Sequence, residues 1–145
     1  MKVPMRVDYG VRALVDLAQR YGGGSVQTVE IAQRQSIPEP YLDQLLTTLG
    51  KFGFINSRRG PQGGHVLAKS PSEISLGVVV AGLEGTAAAM ECIAEPDECT
   101  LSSICAQREV WSTVEEAIYT VLNATTIADL ANRQKRLQGW GVHQP

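Results

Sequence analysis

The sequence predicts a mainly α-helical fold with a small β-wing, a winged helix-turn-helix followed by a long helix outside it. Three features predict it. Two short amphipathic helical patterns lie about three residues apart between Thr28 and Leu49. A glycine-rich hairpin pattern follows over 54–69, and a longer amphipathic pattern runs from Trp111 to Leu122. In that order they make a helix-turn-helix, its wing and a further long helix.

Val7, Val11, Leu14, Val15 and Ala18 recur at helical spacing and give the first helix one apolar face, which Gly22, Gly23 and Gly24 terminate. Ser25-Val26-Gln27 has room for a single strand rung. Thr28 is expected to cap a short helix through Val29, Ile31 and Ala32 that ends near Gln35. Pro38 and Pro40 fit only the opening turn of the next helix, whose buried stripe is Leu42, Leu45, Leu46 and Leu49. After Gly50 and Gly53 the period becomes that of strands, 54–58 and 65–69, joined by Arg59-Gly60-Pro61-Gln62-Gly63-Gly64. Ser75 caps a helix with Leu76, Val79, Val80 and Leu83 inward, closed by Gly85. Trp111, Val114, Ile118, Val121 and Leu122 mark the long helix, with Ser112 and Glu115 as a capping box near its start. Residues 126–129 open a last helix that fades into a polar tail. The organisation expected is a DNA-binding head over 1–85, a cysteine-containing sensor loop over 86–108, a helical arm over 109–137 and a flexible tail over 138–145.

A hydrophobic content of 43% with 19% charged residues excludes a disordered chain. No apolar run reaches the ~18 residues of a membrane span. The charges of Arg6, Asp8 and Arg12 break the apolar pattern that a signal peptide needs, so a cytoplasmic protein is expected. The net charge of −2 speaks against nucleic acid when taken whole. It hides a split: residues 1–70 hold nine Lys and Arg against five Asp and Glu, and residues 71–145 hold four against ten. A phosphate-binding surface requires only local positive charge, and the first half supplies it.

With its leucines buried, the third helix turns Glu39, Pro40, Asp43, Gln44, Thr47 and Lys51 outward. Gln44 suits bidentate pairing with adenine, and Asp43 suits acceptance from a cytosine amino group. Thr28, Tyr41 and Thr48 suit phosphate contacts. In the wing, Arg58 and Arg59 can straddle the backbone or enter the minor groove. Gln62, Gly63 and Gly64 lie on the same loop, where glycine permits close backbone approach.

Cys92, Cys99 and Cys105 form a C-x6-C-x5-C pattern in a segment with no other evident structural purpose. Glu91, Glu95, Asp97 and Glu98 surround them, and their negative field disfavours free thiolates. A cationic metal centre reverses that balance, so an iron–sulfur cluster or zinc suits this loop better than unaided thiol catalysis. The spacing is not the C-x2-C of a zinc ribbon. Three thiolates leave one coordination position open, and Asp8, Glu109 and His143 are candidates for it, His65 being claimed by the wing. A thiol/disulfide switch without a cluster is the alternative. A zinc-binding or thiol-redox protein has less support, because no C-x-x-C occurs.

The stretch Tyr41-Leu42-Asp43-Gln44-Leu45-Leu46, followed by Arg59-Gly60-Pro61-Gln62-Gly63-Gly64-His65-Val66-Leu67, resembles the signature of the Rrf2 family of transcription regulators. Asp8-Tyr9-Gly10-Val11-Arg12-Ala13-Leu14 and Thr125-Thr126-Ile127-Ala128-Asp129-Leu130 fit as well, so the resemblance covers nearly the whole chain to about residue 131. It implies a non-enzymatic homodimer whose long helix pairs with its mate, and whose partner is double-stranded DNA carrying an imperfect palindrome. In cluster-binding members three cysteines of this loop hold an iron–sulfur cluster, 2Fe-2S or 4Fe-4S, and Cys92, Cys99 and Cys105 fall on those positions. In IscR-like members the fourth ligand is a histidine three residues after the last cysteine, where this chain has Arg108, which cannot ligate. In NsrR-like members it is an aspartate at the start of the first helix, contributed by the second subunit, and Asp8 matches it. The six-residue gap between the first two cysteines also departs from the five of IscR-like members. Asp43 and Gln44 match base-contacting positions of that branch. The resemblance thus implies a regulator, expected to repress, that senses iron, redox state or nitric oxide.

Overall fold

The computed structural model describes residues 2–84, 93 and 95–142, so Gly85, Cys92 and His143 lie outside the described residues. Its architecture is the mainly helical one that the patterns predict. Helices α1 (Met5–Gln19), α2 (Thr28–Gln35) and α3 (Glu39–Lys51) precede an antiparallel pair, β1 (Ile55–Arg58) and β2 (Gly64–Leu67). Helices α4 (Leu76–Glu84), α5 (Arg108–Asn123) and α6 (Ile127–Val142) follow. Among the described residues no helix is long and apolar enough to cross a membrane.

One core joins these elements. Leu14 of α1, Ile31 of α2, the expected Leu42, Leu46 and Leu49 of α3, Ile55 of β1, Val79 and Leu83 of α4, and Ile127 of α6 are all shut away from water. Burial of a side chain of this size contributes about 1.5–3 kcal/mol, which fixes α3 by its leucine face and leaves its polar face outward. The turn between α2 and α3 passes through Ser36 in the left-handed region, at φ 54°. Pro38 then precedes α3 and Pro40 sits in its first turn, where a missing N–H costs nothing.

Three boundaries differ from the sequence reading. Gln27, not Thr28, caps α2: its side chain and that of Glu30 form a capping box, with the Gln27 amide donating to Glu30 Oε2 at 3.0 Å. Thr28 is the first residue of the helix, and its hydroxyl is engaged by the wing instead. Helix α5 starts at Arg108, so Ser112 stands inside the helix and is no cap. Helix α6 runs to Val142, so residues 138–142 are helical rather than a flexible tail. Its polar 132–138 stretch of Asn, Arg, Gln, Lys and Leu contains no helix breaker. Ser75 does cap α4, accepting from the Val78 amide at 3.1 Å. Thr126 and Asp129 cap α6 reciprocally, at 2.9 and 3.1 Å.

Helix α6 folds back along α1. The Leu76 amide donates to the Thr125 carbonyl at 2.8 Å and the Ile127 amide to the Ile74 carbonyl at 2.9 Å, so α6 and α4 start from one knot. At the far end Gln19 Nε2 donates to Gln138 Oε1 at 3.1 Å.

Candidate DNA interface and sensor segment

Helix α3 presents Glu39, Pro40, Asp43, Gln44, Thr47 and Lys51 to solvent, as its leucine stripe requires. Thr47 and Thr48 donate to the Asp43 and Gln44 carbonyls one turn back, at 3.0 and 3.1 Å, which leaves their oxygens as acceptors only. Tyr41 is half-buried, edge-on to Tyr9 of α1 with ring centres 5.6 Å apart. Arg58, Arg59 and Gln62 are exposed on the wing. The structure therefore leaves the polar face of α3 and the wing cations open to solvent.

Gly63 and Gly64 have a different place: both are buried. A Cβ at Gly63 would collide with the Arg58 carbonyl, and one at Gly64, where φ is +140°, would lie 2.7 Å from the Val26 carbonyl oxygen. These glycines let the hairpin close against the segment before α2 and are not on the open surface. Hydrogen bonds hold that closure and stiffen the hairpin behind it. Val26 and His65 exchange backbone hydrogen bonds at 2.8 and 3.0 Å. Gln27 Nε2 donates to the Gly63 carbonyl at 2.6 Å. His65 Nε2 is 2.7 Å from Thr28 Oγ1, and its Nδ1 is 2.7 Å from Ser57 Oγ. Burial lowers the His65 pKa, and the charge of Asp43 opposes part of that shift.

One polar centre escaped the sequence reading. Asp16 is 0% exposed on the inner side of α1. Its carboxylate accepts from Arg34 Nε and Nη2 at 3.0 and 2.9 Å, from Gln35 Nε2 at 3.1 Å and from Arg20 Nη1 at 3.4 Å. The forked Arg34 contact raises that guanidinium's pKa and locks the end of α2 to α1. The available signal was an acidic residue inside an apolar helical face, with two cations on neighbouring turns and helices.

Asp8, the expected fourth ligand, lies near the start of α1 with its side chain 43% exposed. Arg12 Nε and Nη2 hold its two oxygens at 2.9 and 3.2 Å. The same guanidinium donates to the Gln35 carbonyl at 3.2 Å and stands 5.3 Å from the centre of the Tyr9 ring. Cys99 and Cys105 are free and half-buried on the segment that leads into α5, while Cys92 lies outside the described residues. Among the described residues no three His, Cys, Asp or Glu side chains converge on one point within the chain.

Asp8 also borders a cavity of about 650 Å³ between α1, α4 and α5. Its wall is mostly aliphatic, with Glu84, Glu115 and Tyr119 as the polar groups of α4 and α5. Burial, then the charges of Glu84 and Glu115, push the Tyr119 pKa up. Glu115 Oε2 is buried without a hydrogen-bond partner. Beside the cavity α5 has no fully buried residue, and Val110 and Val121 are 61% and 66% exposed.

Residues 3–133 match the family model described as Rrf2, iron-dependent transcriptional regulator. Over 130 residues the chain is 39% identical to protein rrf2 of Nitratidesulfovibrio vulgaris, covering 90% of this chain and 87% of that one. The solved structure of CymR, described as the global cysteine regulator of B. subtilis, superposes with a TM-score of 0.77 at 32% identity, covering 92% of this chain and 98% of CymR. The T. potens IscR structure gives 0.78 at 36% identity, covering 95% and 91%.

Proposed function

From the premise that this chain belongs to the Rrf2 family of transcription regulators, a DNA-binding and non-enzymatic family, we propose that it is a homodimeric, cytoplasmic regulator whose operator affinity follows the state of an iron–sulfur cluster. The proposed ligands are Cys92, Cys99 and Cys105, with Asp8 supplied by the second subunit. The exposed polar face of α3 beside the wing cations supports DNA reading by Asp43, Gln44 and Thr47, with Thr28, Tyr41, Arg58, Arg59 and Gln62 on phosphate and groove walls. The uncovered apolar stripe of α5 supports pairing through that helix.

The observation that carries the sensor is the pair of free thiols on the segment feeding α5. Soft thiolates with a carboxylate form a donor set for iron, and the proposed set takes its carboxylate from the second subunit. When bound, such a cluster supplies a centre that reacts with oxidants and nitric oxide. The chain's own residues do the coupling. Arg12 divides its donors between Asp8 and the Gln35 carbonyl, so a change of partner at Asp8 is felt at the turn that leads into α3. An effector acts only through a difference in affinity between two states, and this turn is where the two states would differ.

Protein purified without oxygen should carry iron, sulfide and visible absorbance. Cys99→Ser and Cys105→Ser should bleach it, and Asp8→Ala should lower iron content with the fold intact. Absence of iron, sulfide and absorbance from the wild-type protein would overturn the cluster reading. A thiol/disulfide switch is then favoured by the same two free thiols, together with the similarity to CymR, described as a global cysteine regulator. Cysteine-dependent mobility shifts under oxidant would identify it.

A further inference from the structure

His65 stands where the wing meets the reading head, and both of its ring nitrogens are in use. Nε2 reaches Thr28 Oγ1 at the start of α2, and Nδ1 reaches Ser57 Oγ, its cross-strand partner in β1, each at 2.7 Å. Hydroxyls are suited to both ends of such a bridge because each can donate or accept. A neutral imidazole has one N–H and one lone pair. One hydroxyl must therefore spend its proton on the ring, and the other keeps its proton free. An imidazolium has two N–H groups, so both hydroxyls accept and both keep their protons free to donate outward.

We propose that His65 is a positioning residue for DNA binding that takes up a proton as the operator docks, freeing the Thr28 and Ser57 hydroxyls together to donate to phosphate. The inference rests on the DNA-reading role of this face. Asp43 on α3 favours the charged ring from the recognition helix. Two cations oppose it, Arg58 beside Ser57 in β1 and Arg20, which with Tyr21 shares a small cavity with His65, so the proton is taken up only when phosphate adds its charge. In the free protein burial holds the ring neutral at a pKa below its ordinary value. A phosphate arriving at the two hydroxyls adds negative charge beside it and raises that value.

The sign follows from linkage. The bound state has the higher His65 pKa, so affinity is greatest below the free-protein pKa, falls as pH rises between the two values, and is level above the bound one. Within that window one proton per subunit gives up to about tenfold in affinity per pH unit for each subunit engaged.

The test uses the full chain and a duplex that the chain itself enriches from a random library. Binding is measured by fluorescence anisotropy between pH 5.5 and 8.5 at constant salt. Wild type should weaken several-fold with rising pH, while His65→Gln should bind with a flattened profile and melt within a few degrees of wild type. In a His143→Ala background the imidazole proton signal of His65 should titrate at higher pH with duplex than without. If the signal titrates at the same pH in both, or if His65→Gln retains the wild-type slope, the proposal is wrong. A His65→Gln protein that binds less well by one factor at every pH, from a wild type that is level, would also overturn it in favour of a purely structural bridge. Failure to enrich any duplex would instead overturn the DNA-reading role itself.

Discussion

Asp16 shows how a single residue's environment decides its worth. Its carboxylate has no contact with water and accepts four hydrogen bonds, from Arg34 Nε and Nη2, Gln35 Nε2 and Arg20 Nη1. Asp16→Ala strands Arg34 and Gln35, and should cost about 3 kcal/mol of unfolding free energy, read by urea denaturation. Arg12→Ala provides the contrast. Its ion pair with Asp8 is 43% exposed on both sides, so the loss of stability should stay below about 1 kcal/mol. If the proposed coupling through Asp8 holds, its main effect should be on the difference in operator affinity between the two sensor states, measured as two binding isotherms. The sequence showed the cations and the carboxylate, and not their meeting. Asp16 and Arg34 are 18 residues apart, and helical periodicity describes only one element at a time.

At the scale of elements, the recognition helix and the wing were legible because each is specified locally. Four leucines at helical spacing define the buried side of α3, so its outward side follows by subtraction. The wing was read from its glycines, and the structure supplies their reason: Gly64 combines a positive φ with a carbonyl where a Cβ would stand. Gly64→Ala should therefore destabilise the protein by about 1–3 kcal/mol and lower operator affinity more than any single exposed wing substitution, checked by thermal melting beside anisotropy. Caps were less legible. Ser112 and Glu115 have capping-box spacing, yet the helix had already begun at Arg108, because the box is a pattern that helix interiors also produce. The cap of α2 fell to Gln27 because the wing draws the Thr28 hydroxyl away. That competition is tertiary and has no trace in the local sequence.

For the whole molecule, the exposed stripe of α5 predicts the assembly. Val121→Glu alters a surface residue of the single chain and should shift its stability by no more than about 0.5 kcal/mol. The same change places a charge in the proposed α5 pairing, so sedimentation should show a monomer where wild type is a dimer. The order of the elements was legible, since it follows the order of the patterns along the chain. The cysteine segment was legible as a set of donor types and not as geometry: Cys99 and Cys105 are free thiols, and no three candidate ligands converge among the described residues. The packing of α6 onto α1 was not legible at all. Ile127 is sealed in the core formed by α1 to α4, and Ala131 is buried beside it. During synthesis, the reading head thus lacks part of its core until residue 131 has left the ribosome, by which time the cysteine segment is already made. A chain that ends before residue 131 therefore has an incomplete core around α1 to α4, although every residue of those helices is present.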